Sequence, residues 1–180
     1  LAPTRWQANT YPAHLRDQSS VIHDGIDTER VQPNPHVQIR LDAELLLNRD
    51  HQVITFVNRD LEPYRGYHRF MRALPDLLKR RPHATVLIVG SNGVSYGAPP
   101  PQGHTWKDIF IQEVRPQISD SDWQRVHFLG HLPYEYFLAV LQLSSVHVYL
   151  TYPFVLSWSL LEAMSSGCAI VASDTAPVRE

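Results

Sequence analysis

Five short apolar runs constrain this chain more than any other feature: VITFV at 53–57, TVLIVG at 85–90, RVHFLG at 125–130, VHVYL at 146–150 and CAIVA at 168–172. Each is too short for a buried helix, rich in Val, Ile and Phe, and nearly continuous, as expected of strands covered on both faces. Helical patterns lie between them. Gly66 to Arg80 places Tyr67, Phe70, Met71, Leu74, Leu77 and Leu78 at three- and four-residue steps, a stripe suited to packing on a sheet. Ile109 to Ile118 is a weaker helix interrupted by Pro116, Pro133 to Leu143 starts with proline in its first turn, and Leu160 to Ser166 ends at a glycine, Gly167. Alternating strands and helices imply right-handed crossovers, and so an α/β fold with a parallel sheet of about five to six strands between two helical layers. The stretch SNGVSYGAPPPQGH at 91–104 is too rich in Gly and Pro for either element and reads as a mobile surface loop.

One core is sufficient for 180 residues, and the single Cys168 provides neither a disulfide framework nor a metal cluster, which favours a reducing compartment. With 16 Lys and Arg against 18 Asp and Glu, there is no bulk positive charge to attract nucleic acid, so any anion site must be local. No run approaches a membrane span, and LAPTRWQANT at the start has no signal-peptide core, so the chain reads as soluble and cytoplasmic. Residues 1–36, with scattered prolines and a turn at Asp24-Gly25, read as a connector, leaving 37–180 as the domain proper. The last apolar run is followed only by SDTAPVRE, so the alternating pattern stops just as an element is completed.

Ligands of parallel α/β sheets bind outside the carboxyl ends of the strands, which directs attention to three connections. The first, NRDLEPYRG, holds Arg59 and Arg65 and opens a helix at Gly66, where a backbone can approach a phosphate closely. Asp60 and Glu62 offer the alternative that both arginines are simply neutralised in a solvated loop. The second is Gly130-His131-Leu132-Pro133, whose backbone can hold a planar base, with the His131 side chain the weaker candidate. The third, TYPFVLSWS, leads into a helix that Ser157 or Ser159 can cap, presenting free amides beside Trp158, with Glu162 one turn further on. A carboxylate among Leu160, Leu161, Ala163 and Met164 needs a partner, and vicinal ribose hydroxyls would serve, although a glutamate early in a helix also occurs for its dipole alone. No cluster with metal-ligand spacing is present, and no G-x-G-x-x-G follows a strand, which argues against a Rossmann dehydrogenase.

Four segments together resemble the C-terminal, donor-binding half of GT-B-fold retaining glycosyltransferases of the GT4 family. VIHDGIDTERVQP (21–33) is similar to the family's interdomain segment, VNRDLEPYRG (57–66) to VGRL-x-x-x-KG, RVHFLGHLP (125–133) to V-x-FLG-x-V, and LLEAMSSGCAIVASDTAPVRE (160–180) to LEAMA-x-G-x-PVVAS-x-x-x-G-x-x-E. The resemblance implies half of a GT-B fold, in which Arg59 and Arg65 hold the donor diphosphate as the catalytic cations and Glu162 binds the ribose as the second glutamate of E-x7-E. The first glutamate of that motif is replaced by Phe154, the phosphate-loop F-G-x by Leu156-Ser157-Trp158, and the glycine of VGRL by Asn58. The implied partner is a nucleotide-diphospho-sugar, used without metal or other cofactor. A saccharide or lipid-linked acceptor would be met through an N-terminal domain that this chain lacks, so the fragment alone would bind donor without turning it over. Polysaccharide biosynthesis and peripheral membrane association of the full-length enzyme follow from the same resemblance. A GT-B nucleotide-sugar epimerase domain and a non-catalytic α/β nucleotide-binding module are the rival readings.

Overall fold

The computed structural model describes residues 1–180. Two short helices, α1 (Arg5–Asn9) and α2 (Ala13–Arg16), precede a small antiparallel ladder of β1 (Ile39–Arg40) and β2 (Leu46–Leu47). Then come β3 (Gln52–Asp60), α3 (Tyr67–Arg80), β4 (Ala84–Ser91), α4 (Trp106–Val114), α5 (Asp120–Trp123), β5 (Val126–Gly130) and α6 (Tyr134–Leu143). The chain closes with β6 (Val146–Tyr149), α7 (Trp158–Ser165), β7 (Ala169–Ala172) and α8 (Ala176–Arg179). The five later strands form one parallel sheet in the order β5-β4-β3-β6-β7. This is the parallel α/β arrangement expected from the apolar runs, and its strand order makes it Rossmann-like. Strand order reverses between β3 and β6, whose connections diverge and leave a crevice at their carboxyl ends.

Two cores flank the sheet. On one face Phe56 and Ile88 meet Phe70, Met71 and Leu74 of α3 with Phe110 and Val114 of α4, and the Phe56 and Phe70 rings stack at 4.6 Å. On the other, Val53, Val57, Leu87 and Val89 meet Val140 and Leu141 of α6 and Ala163 of α7. Burial on both faces holds for β3 and β4, which are central, but not for β7: Ala169, Val171 and Ala172 are exposed at the sheet edge. An apolar run alone does not distinguish an edge strand from a central one.

Two further expectations are corrected. Helix α4 begins at Trp106, three residues early, because Thr105 accepts the Asp108 amide as N-cap, and Pro116 sits in a separate 3-10 turn, Arg115–Gln117. The 91–104 loop is moored rather than loose. Glu62, fully buried, accepts the amides of Ser95, Tyr96 and Gly97 at 3.3, 3.2 and 2.9 Å, and Asp60 accepts the Ser95 hydroxyl. The first 36 residues also pack against the domain: Trp158 donates to Asp24 at 3.0 Å, Ser165 donates to the Val31 carbonyl, and Arg30 pairs with Glu135.

Under α6 lies a buried polar chain in which His147 Nδ1 meets the Thr55 hydroxyl at 2.9 Å and Thr55 meets Ser144 at 2.8 Å, leaving His147 Nε2 without a partner. Burial lowers the His147 pKa to about 4 from an ordinary 6.5. The unfolded chain therefore binds this proton more readily, and the stability present above pH 6.5 drains away as pH falls toward 4. Denaturant melts should show a loss of about 2 kcal/mol between pH 7 and pH 5 from this residue, and His147→Leu should remove most of that difference. An equal pH dependence in the variant would contradict the assignment.

Candidate functional site

The carboxyl ends of β3, β4 and β5 and the start of α7 enclose a cleft of about 570 Å³. Its walls include Asn58, Arg59 and Arg65 from the first connection, His131, Leu132 and Pro133 from the second, and Ser157, Trp158, Ser159 and Glu162 from the third. Three segments remote in sequence thus converge as the strand-end rule requires. Of the sequence-predicted residues, Gly66 and Gly130 are not part of the lining. At Gly66, with φ +76°, an added Cβ would lie 2.2 Å from Leu150 Cβ, so this glycine lets the start of α3 pass the end of β6. Gly130, with φ +67° and open space around it, shapes the turn before His131.

Arg59 reaches the cleft because β3 bulges: Val57 pairs with Val89 and Asp60 with Ser91, leaving one residue more on β3 than on its partner. Such bulges re-aim side chains at a sheet edge. The Arg59 side chain is exposed, without an ion pair. Arg65 is different. It ends a 3-10 turn, Pro63–Arg65, and is 8% exposed, yet no carboxylate answers it. Its neighbours are all neutral and distant: Asn58 Oδ1 at 3.4 Å, the Thr151 and Tyr149 hydroxyls at 3.5 Å, and the Tyr149 ring with its centroid 5.6 Å away. The alternative in which Asp60 and Glu62 neutralise the arginines fails, because both carboxylates are turned to the 91–104 loop. A buried guanidinium served only by weak neutral contacts is costly unless an anion joins it.

Ser157 occupies the N-cap of α7 but makes no capping bond; its hydroxyl meets that of Ser159 at 2.8 Å. The first amides of the helix are therefore left for a ligand, at the positive end of its dipole. Glu162 has a partner that sequence reasoning missed: Tyr134, the first residue of α6, donates its hydroxyl to Oε1 at 2.8 Å. Burial, followed by the hydrogen bond and charge of Glu162, raises the Tyr134 phenol above its ordinary pKa. The available signal was its position directly after Pro133 at the same sheet edge. Taken together, the cleft offers two cations, free amides and a carboxylate–phenol pair, flanked by Val57, Val89 and Phe137.

Comparison with known proteins places the chain in a family. The profile described as "Glycosyl transferases group 1" matches residues 51–180, and one described as "Glycosyl transferase family 4 group" matches residues 1–31. The chain belongs to the group 1 glycosyl transferases and has the fold of their C-terminal GT-B domain. A D-inositol 3-phosphate glycosyltransferase from Nocardia farcinica is 29% identical over 161 residues, covering 88% of this chain and 33% of the relative. This chain thus spans about a third of that relative's length. Among solved structures, the C-terminal domain of the group 1 family glycosyl transferase LpcC from Francisella tularensis is 20% identical, with a TM-score of 0.63 over 87% of this chain and 74% of that one. Anabaena HepE, solved with UDP and glucose, is 18% identical, with a TM-score of 0.67 over 99% of this chain and 45% of that one. No helix here is long and apolar enough to cross a membrane.

Proposed function

We propose that the cleft binds a nucleotide-diphospho-sugar and serves retaining glycosyl transfer by a full-length enzyme. The observation that carries this reading is the buried Arg65 without a carboxylate partner, set beside Arg59 and the uncapped start of α7. In the reaction the bond from the sugar to the diphosphate breaks, and negative charge grows on the leaving phosphate. Arg65, Arg59 and the Trp158 and Ser159 amides are positioned to stabilise that charge, a role open to preorganised cations and dipoles without a metal. Arg65 contributes most, because it is withdrawn from water, whereas the exposed Arg59 is screened. Glu162, oriented by Tyr134, accepts the two ribose hydroxyls, and the base lies along the His131–Pro133 backbone. The UDP and glucose bound in HepE support a nucleotide-sugar as the ligand class.

Within this reading, residues 1–36 are the interdomain segment and 37–180 the donor domain. The acceptor, a saccharide or a lipid-linked acceptor, is met through an N-terminal domain of the full-length enzyme. Donor binding without turnover is then the expected behaviour of residues 1–180 alone, and the cytoplasmic face of a membrane is the expected setting of the full-length enzyme. A thermal-shift panel of UDP-, GDP-, ADP- and dTDP-sugars tests the proposal. At least one should raise the melting temperature, and no response to any of them would contradict it. Glu162→Ala should weaken nucleoside diphosphate binding by about 1 kcal/mol, yet leave a 2′,3′-dideoxy analogue unaffected. Equal losses for both ligands, read by calorimetry, would remove the ribose role.

A further inference from the structure

The Tyr134–Glu162 pair is held from outside the cleft by a turn in the first 36 residues. Asp27 opens that turn: its carboxylate accepts the Glu29 and Arg30 amides at 3.1 Å each, and its carbonyl accepts the Val31 amide at 2.8 Å. Val31, 1% exposed, anchors the turn. Its carbonyl accepts the Ser165 hydroxyl of α7, and the Gln32 carbonyl accepts Gln142 Nε2 of α6 at 2.9 Å. The turn is thereby strapped to both helices that carry the pair, and it projects Arg30 onto the start of α6. Arg30 forms an ion pair with Glu135, the residue after Tyr134, and its guanidinium carbon lies over the Tyr134 ring, 4.7 Å from the centroid. That ring is 39% exposed and otherwise meets the ring of Phe137 at 5.8 Å, so little packing fixes its direction.

We propose that Arg30 is a positioning residue for nucleotide binding: lying over the Tyr134 ring, it aims the phenol at Glu162 and so sets that carboxylate for the ribose hydroxyls. The inference rests on the nucleotide reading and names what orients one of its contacts. A glutamate side chain has several torsions to freeze before it can hold two hydroxyls. The Tyr134 bond to Oε1 at 2.8 Å freezes them in advance and leaves Oε2 free to accept. The phenol keeps its direction only while its ring is fixed, and a cation over the ring face supplies that restraint. Stability is a poor explanation for the arrangement, because the Arg30 and Glu135 side chains are 54% and 70% exposed and such a pair adds little to folding. Nor is Arg30 a phosphate contact: it does not line the cleft, and Glu135 balances its charge.

Calorimetry on residues 1–180 with UDP, GDP and ADP, each beside its 2′,3′-dideoxy analogue, tests this in Arg30→Gln, Tyr134→Phe, the double variant and Glu162→Ala. Arg30→Gln should lower affinity for the ribonucleotide about threefold, the loss expected of an exposed cation–ring contact, and leave the dideoxy analogue and the melting temperature unchanged. Tyr134→Phe should lower ribonucleotide affinity about fivefold. In that background Arg30→Gln should have no further effect, because the ring it aims no longer carries a hydroxyl. A mere loss of positive charge would instead weaken both ligands alike. Unchanged ribonucleotide affinity in Arg30→Gln, equal losses for the two ligands, or additive losses in the double variant would overturn the proposal. Glu162→Ala separates the possible failures. If it distinguishes the two ligands and Arg30→Gln does not, Arg30 alone loses its role; if it does not, or if no nucleotide binds, the ribose reading fails and this proposal with it.

Discussion

Replacing Gly66 with alanine should destabilise the domain by about 2–5 kcal/mol, enough to prevent a marginal fold from forming. Two costs add. A non-glycine residue at φ +76° pays about 1–2 kcal/mol for left-handed backbone, and the new methyl meets Leu150 Cβ at 2.2 Å with the Leu150 carbonyl carbon and oxygen at 2.9 Å. The obstacle is partly backbone, so no rotamer change relieves it. Gly130→Ala provides the comparison, because its φ is similar and its surroundings are open. That variant should pay only the backbone cost. Equal denaturation midpoints for the two variants would show that the approach of α3 to β6 is not the constraint.

Arg65→Met should weaken nucleoside diphosphate binding by about 3 kcal/mol, roughly a hundredfold, while the ligand-free domain keeps or gains stability. The first half follows from removing a desolvated cation from a phosphate contact. The second follows from the weakness of its present contacts, none closer than 3.4 Å and none to a carboxylate. A buried charge replaced by an apolar side chain of similar length commonly leaves a protein as stable or more so. Opposite signs for affinity and stability mark a residue kept for function. Arg59→Ala, at an exposed position, should cost only about 1 kcal/mol of affinity.

Much of this could be read from the sequence, for identifiable reasons. The β3 and β4 runs and the α3 stripe are set by burial period, and the strand-end rule then located Arg59, Arg65, His131, Leu132, Ser157, Trp158, Ser159 and Glu162 along one cleft. What was not legible depends on contacts between residues distant in the chain. Glu62 lies three residues from Arg65 yet turns to amides 33 to 35 residues away, because the 91–104 loop offers it three donors. Gly66 was read as room for a phosphate but makes room for Leu150, and Tyr134 has no motif to announce its bond to Glu162. The exposure of β7 depends on its place at the end of the strand order, which composition does not encode.

In the proposed complex a nucleoside diphosphate sits against Arg65 at the switch point between β3 and β6. Titrating UDP, or whichever nucleoside diphosphate the thermal panel selects, into isotopically labelled protein and following the amide and arginine Nε–H resonances tests it directly. A large shift of the Arg65 Nε–H signal and of the Trp158 and Ser159 amides is expected, with smaller shifts at 131–134 and no change around Tyr96. Saturable binding that leaves the Arg65, Trp158 and Ser159 signals unmoved would contradict it.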